Sequence, residues 1–229
     1  LDHPRDPFID TALPQTVTAL EPYWRPALEE GLLRFAKVNH RDFAEQQAGI
    51  GFETRLKTHL NQKSPTLDEA SAIIDRLVSN PTTKQTRMVV DAVAAKPRES
   101  DPKVMLVMLE GLSRVARNGE ISLGQRINPL KKLLRHPNNS VAAAAAANLG
   151  AWQLKGSEAD LFAVLRDSKR ATQVRRAAAT SLGQLGKPEI TSALKALALD
   201  GETTERYLAL FGLIETDIQD AAEAAARLL

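Results

Sequence analysis

Asn139-Ser-Val-Ala-Ala-Ala-Ala-Ala-Ala-Asn-Leu-Gly150 is followed, 33 residues on, by Thr172-Gln-Val-Arg-Arg-Ala-Ala-Ala-Thr-Ser-Leu-Gly183. Val141 pairs with Val174, Leu149 with Leu182 and Gly150 with Gly183. Self-similarity at such a period is the signature of a repeat architecture. Val174, Ala177, Ala178 and Leu182 stand at i, i+3, i+4 and i+8, one apolar stripe of a helix. After each Leu-Gly comes a short turn and a second helix, Glu158 to Arg166 in one unit and Pro188 to Leu199 in the next. Gly183 and Gly186, with Pro188 in a first turn, read as punctuation between the two helices. A looser third copy starts at Thr203, passes through Arg206-Tyr-Leu-Ala-Leu-Phe-Gly212 and ends in a helix over Ile218–Leu229. One such pair cannot bury its apolar face alone, whereas several stacked pairs can.

Upstream the rhythm persists with less identity. Helices are expected at Leu67–Val78, Thr83–Ala95, Pro102–Arg117 and Leu123–Leu134, with Pro81, Pro97 and Pro137 in the connections. Asp101-Pro102 supplies a cap and a proline for the first turn, and Val104, Val107, Met108 and Leu112 form the buried stripe. No segment alternates with a period of two, so no strand is expected. Residues 1–62 differ in character. Asp6-Pro7 opens a helix kinked at Pro14, Pro22 begins another that Gly31 closes, and Phe52–Leu60 forms a further one. Between them lies an irregular stretch with Phe35, Phe43 and Gly49-Ile-Gly51. The chain thus reads as an irregular N-terminal helical region, 1–62, continuous with a repeat solenoid over 63–229.

The composition agrees. Aromatics make up 4% of the chain while alanine and leucine abound, which suits closely packed helices and not a β-sandwich. Cysteine is absent, which removes disulfides, thiolate metal sites and thiol nucleophiles. No apolar run reaches the roughly 18 residues of a membrane span. The chain begins at Leu1 with neither Met nor a signal-peptide pattern, and reads as a piece of a longer polypeptide. The net charge of +2 hides an asymmetry: residues 131–187 hold 10 basic and 3 acidic side chains, residues 188–229 hold 3 and 8.

Lys131, Lys132, Arg135, Lys169, Arg170, Arg175 and Arg176 belong to that basic segment. A row of cations on one solenoid face could meet phosphates, but no aromatic interleaves for base stacking. Solvated faces and ion pairs between repeats are therefore the favoured reading, and nucleic acid is disfavoured as a partner. Of these, Lys131, Lys132, Arg135, Lys169, Arg170 and Arg176, together with Trp24, are the candidate interaction surface. Arg175 follows Val174, where a repeat of this kind commonly uses arginine to bridge adjacent units. Trp24, beside Tyr23, reads as a core plug of the N-terminal region in preference to an exposed anchor. His3, His40, His59 and His136 show no H-x-x-x-H spacing, so no metal site is signalled, and His136 is expected to serve the end of a helix. Glu29/Glu30 and Asp68/Glu69 suit exposed helix turns better than acid–base chemistry. No nucleophile elbow or phosphate-binding loop is present. Catalytic residues and cofactors are not expected.

Ser168-Lys-Arg-Ala-Thr-Gln-Val-Arg-Arg-Ala-Ala-Ala-Thr-Ser-Leu-Gly-Gln-Leu-Gly-Lys-Pro-Glu-Ile190 resembles the short HEAT repeat first noted in phycobilisome lyases. The resemblance covers roughly residues 64–229 and implies an all-α fold, a right-handed α-solenoid of about five HEAT-like helical hairpins. It is silent about activity. The opening Asp2-His-Pro-Arg-Asp-Pro-Phe8, with Glu21-Pro-Tyr-Trp-Arg-Pro26, resembles the HEAT region of large secreted proteins of planctomycetes described as membrane-bound dehydrogenases or haem-binding proteins. In them a β-propeller precedes that region and a c-type cytochrome follows it. The resemblance implies a non-catalytic spacer or docking platform in an extracytoplasmic redox protein, with neighbouring domains or other proteins as partners. Its contacts would lie mainly on the second helices. A HEAT-like DNA glycosylase using segment 131–187 and a lyase-like tetrapyrrole binder are the alternatives.

Overall fold

The computed structural model describes residues 7–29, 32–33, 40, 43–44, 47, 66–79, 81–95, 100–119, 121–124 and 126–227. The expected helix at Phe52–Leu60, the Gly49-Ile-Gly51 stretch, Phe35, Gly31, Glu30, His3, His59 and Pro97 lie outside the described residues. Twelve α-helices and no strand occur among the described residues. The chain divides into two compact units, Leu1–Gln62 and Lys63–Leu229.

The first unit contributes α1 (Pro7–Ala19) and α2 (Glu21–Glu29). Pro14 lies inside α1 and Pro26 inside α2. The two helices meet through Trp24, whose indole N–H donates to the Val17 carbonyl at 2.9 Å.

The second unit is an α-solenoid of five helical pairs: α3 (Leu67–Ser79) with α4 (Thr83–Ala95), α5 (Pro102–Asn118) with α6 (Asn128–Leu133), α7 (Asn139–Ala151) with α8 (Glu158–Arg166), α9 (Thr172–Gln184) with α10 (Pro188–Asp200), and α11 (Thr203–Thr216) with α12 (Ile218–Ala226). The first helices α3, α5, α7, α9 and α11 pack side by side in chain order. The second helices form the other layer, where α4 leans on α5, α6 on α7, α8 on α9 and α10 on α11. Each second helix therefore locks its own pair to the next one.

Local chemistry sets the boundaries. The Asp101 carboxylate accepts the Lys103 N–H at 2.8 Å, and Pro102 follows in the first turn, where it forfeits no helical hydrogen bond. Asn138 accepts the N–H groups of Ser140 and Val141 at 3.0 and 3.2 Å, so it caps the start of α7. Glu202 and Glu205 form a reciprocal capping box at the start of α11. α6 is shorter than the expected Leu123–Leu134. Gly124 takes a left-handed conformation (φ 62°), and Pro129 sits in the first turn, so the helix starts only at Asn128. Leu123 is nonetheless fully buried, which is why it carries the apolar signal of a helix.

The core runs between the layers through Leu77, Leu109, Leu112, Leu130, Leu149 and Leu165, all fully buried. Each such leucine contributes about 2 kcal/mol by leaving water. In α5 the buried stripe is Val104, Met105, Met108, Leu109, Leu112 and Val115; Val107, expected in that stripe, is half-buried.

Two different devices join pair to pair. The first-helix layer is joined by close backbone approach. Ser181 on α9 donates its hydroxyl to the Ala146 carbonyl of α7 at 2.7 Å, and Asn148 on α7 donates to the Leu109 carbonyl of α5 at 2.9 Å. Gly183 and Gly150 do not punctuate the turn. Both lie inside their helices and are buried, and a Cβ at 183 would stand 2.1 Å from the Gly212 carbonyl oxygen of α11. The turn itself is made by Gly186, at φ 62°. The second-helix layer is joined by charge: Asp91 of α4 pairs with Arg126 before α6, Lys131 of α6 with Asp160 of α8, Glu158 of α8 with Lys187 before α10, and Lys195 of α10 with Asp220 of α12.

Candidate docking surfaces

The basic segment does not form one patch. Lys131 and Arg135, at the end of α6, and Arg170, in the turn before α9, line a cleft of about 390 Å³ between α6 and α8. Asp160 and Asp167 line it too. Lys131 spends its charge on Asp160 at 2.6 Å, and the Asp167 carboxylate accepts the Lys169 backbone N–H at 3.0 Å. Lys132 and Lys169 are exposed outside that lining. Arg176 stands on the other layer, on α9, with its guanidinium 5.4 Å from the ring centroid of Phe211. Trp24 belongs to the first unit. Segment 131–187 is therefore basic along the chain but split in space, because a helical pair sends neighbouring stretches to opposite layers.

Arg175 is buried, and its Nε donates to the Leu165 carbonyl at 2.7 Å. That carbonyl belongs to the last turn of α8, which has no partner within its own helix. Arg206 repeats the arrangement one pair later, donating to the Gly201 carbonyl at 2.6 Å after α10. The expected bridge between units is thus a hydrogen bond to a helix C-terminus and not an ion pair.

The ionisable groups with displaced titration belong to the ion-pair seam. Burial alone would push the Glu158 carboxyl up, but the bond from Lys187 and nearby backbone N–H groups outweigh it and hold it below the usual range. The hydrogen bond to Asp220 raises the Lys195 ammonium, with Glu223 and Asp217 adding to it. His136 is buried, and its Nδ1 accepts the Asn138 N–H at 3.1 Å. Through that hydrogen bond His136 braces the turn into α7. Among the described residues no group of three His, Asp or Glu side chains is placed to hold a metal, and no helix is long and apolar enough to cross a membrane.

The larger concavity lies on the first helices, where the sequence did not point. A groove of about 790 Å³ runs over α7 between α5 and α9. Its floor is Ala143, Ala144, Ala147 and Ala151, and its rims carry Arg114 and Arg117 on α5 and Arg176 on α9. α7 contains no charged residue at all. Its alanines read as packing residues in the sequence, and those at 142, 145 and 146 are; those at 144, 147 and 151 remain partly open to solvent. The signal that could have found the groove was the absence of any solvating side chain on the outer face of a helix whose neighbours carry arginines there.

In the first unit, Leu13, Val17, Trp24, Leu33, His40 and Phe43 line an apolar cleft of about 400 Å³. Trp24 is half-buried in its wall, while Tyr23 is 82% exposed; the two rings do not act as a pair.

The family of HEAT repeats matches residues 127–228, which spans α6 to α12. That part of the chain is a HEAT-like repeat region. No curated protein sequence matches the chain.

Proposed function

We propose that this chain is a non-catalytic protein-docking and spacer module. The observation that carries the reading is the unequal use of charge by the two layers. In the second-helix layer, Lys131, Lys187 and Lys195 are tied to carboxylates from pair to pair, while Lys132 stays exposed. On the first helices, an open groove keeps three guanidiniums that make no ion pair within the described chain. HEAT-like repeats typically bind other proteins, and stacked pairs present broad surfaces built from many modest contacts. Neither of these two grooves has an aromatic side chain among its described lining residues, where base stacking would ask for one. The more specific reading, that the module separates the redox domains of an extracytoplasmic protein, is supported by the resemblance of residues 2–31 to the dehydrogenase or haem-binding proteins described above.

Fluorescence anisotropy of labelled duplex DNA at two ionic strengths tests the reading. No binding is expected at near-physiological salt. Submicromolar binding that weakens steeply with added salt would replace the docking module with a nucleic-acid-binding one.

A further inference from the structure

We infer that the groove over α7 receives an acidic amphipathic helix of a partner protein. The inference deepens the docking reading and rests on it. The floor is a straight strip: Ser140, Ala144, Ala147 and Ala151 stand at i, i+4, i+7 and i+11 of α7, one face of a helix about 16 Å long at 1.5 Å per residue. Methyl groups along such a strip let another helix approach closely, and about three turns of it would fit the length. The rims decide the charge of the occupant. Arg114 and Arg117 lie one turn apart on α5, and Arg176 lines the α9 side with its guanidinium over the Phe211 ring, with Glu110 the lone acidic side chain in the lining. These guanidiniums form no ion pair among the described residues, while on the other layer Lys131, Lys187 and Lys195 are paired.

Ser113 also lines the groove and is only 8% exposed. Carboxylates on a helix flanked by two arginine rims, over an alanine floor, meet both features: bidentate acceptors for Arg and an apolar face for the methyl groups. Helix-in-groove recognition with charged edges gives such a site both affinity and orientation.

The probe is a fluorescein-labelled helical peptide of about 16 residues, long enough for the strip, with Ala and Leu along one face and Glu on both flanks. A second peptide carries Lys in place of Glu. Titrated with the whole chain at low salt, the Glu peptide is expected to bind and gain helicity, and the Lys peptide is not. The double variant R114E/R117E, at exposed positions, is expected to weaken binding about tenfold or more. K132E/K169E, with the same change of charge outside the groove, is expected to leave it unchanged, and A147E, which fills the floor, to abolish it. The inference is overturned by a Glu peptide that fails to bind, by equal losses in the two double variants, or by affinity that survives a central proline in the peptide. It is also overturned if the chain dimerises through the groove, with R114E/R117E abolishing dimerisation, since the occupant is then a second copy. Failure of the peptide with DNA still unbound removes only the acidic helix. Tight, salt-sensitive DNA binding that R114E/R117E abolishes removes the docking reading as well.

Discussion

Replacing Gly183 by alanine tests how the first-helix layer is held together. Two effects oppose one another. In an isolated helix the change is favourable by about 1 kcal/mol, because alanine orders at lower entropic cost. In this stack the new Cβ would stand 2.1 Å from the Gly212 carbonyl oxygen and 2.9 Å from the Gly212 carbonyl carbon. Non-bonded heavy atoms rest at about 3.5 Å, so α9 and α11 would have to separate by roughly 1.4 Å. Neither contact can yield by a rotamer change, since both atoms are backbone. Overpacking a tight core costs typically about 1–3 kcal/mol, and a clash between two backbones belongs at the upper end. The net expectation is a loss of about 2 kcal/mol. At roughly 2–4 °C per kcal/mol for a unit of this size, the melting temperature falls by about 4–8 °C.

Gly111→Ala is the comparison. There the neighbours are Ile74 Cγ2 at 2.2 Å and Cδ1 at 2.7 Å, side-chain atoms of a buried residue stiff at χ1, so a loss of similar size is expected without any clash of backbones. Thermal and urea unfolding followed by circular dichroism on both variants gives the comparison. A Gly183→Ala protein as stable as the parent, or more stable, would refute the argument, because helix propensity would then outweigh the close approach.

Arg175→Ala should cost about 2–3 kcal/mol in urea unfolding, since a buried charge-assisted donor and its partner carbonyl both lose their bond. Arg175→Lys should not restore it, because the donor is Nε and lysine has no nitrogen at that place; full rescue would count against the bridge. The Glu158–Lys187 pair makes a pH prediction. The folded carboxyl is held low, so its contribution is present above the ordinary carboxylate pKa and lost as pH falls through the folded value. Melting temperatures between about pH 6 and pH 3 should drop less in Glu158→Gln than in the parent, by an amount worth under about 1 kcal/mol for a partly exposed pair. An unchanged acid dependence would show that the pair contributes nothing.

How much of this was readable beforehand follows from the range of the interactions. Helix starts at Asp101-Pro102 and Thr83, and the paired rhythm over Asn139–Gly150 and Thr172–Gly183, depend on neighbours within a few residues, so caps, prolines and the spacing of apolar residues declare them. The helix at Asn128–Leu133 was overextended because Leu123 is buried without being helical; burial and helicity leave the same mark on one apolar residue. His136 before a proline carries no sign of whether a backbone N–H will reach its ring.

The sequence alone determined the helical repeat, the five stacked pairs and the place of most helices among the described residues, because each depends on periodicity and local capping. Only the tertiary structure decided that Gly150 and Gly183 are close-approach points and that Gly186 makes the turn. A glycine near a helix end looks the same in either role until φ and the facing backbone are known. It also decided that the basic segment divides between two layers, with Lys131 consumed by Asp160 and Arg176 left on the rim of a groove. That division is set by which helix of a pair each residue occupies and by what lies across the interface, and a linear count of charge contains neither.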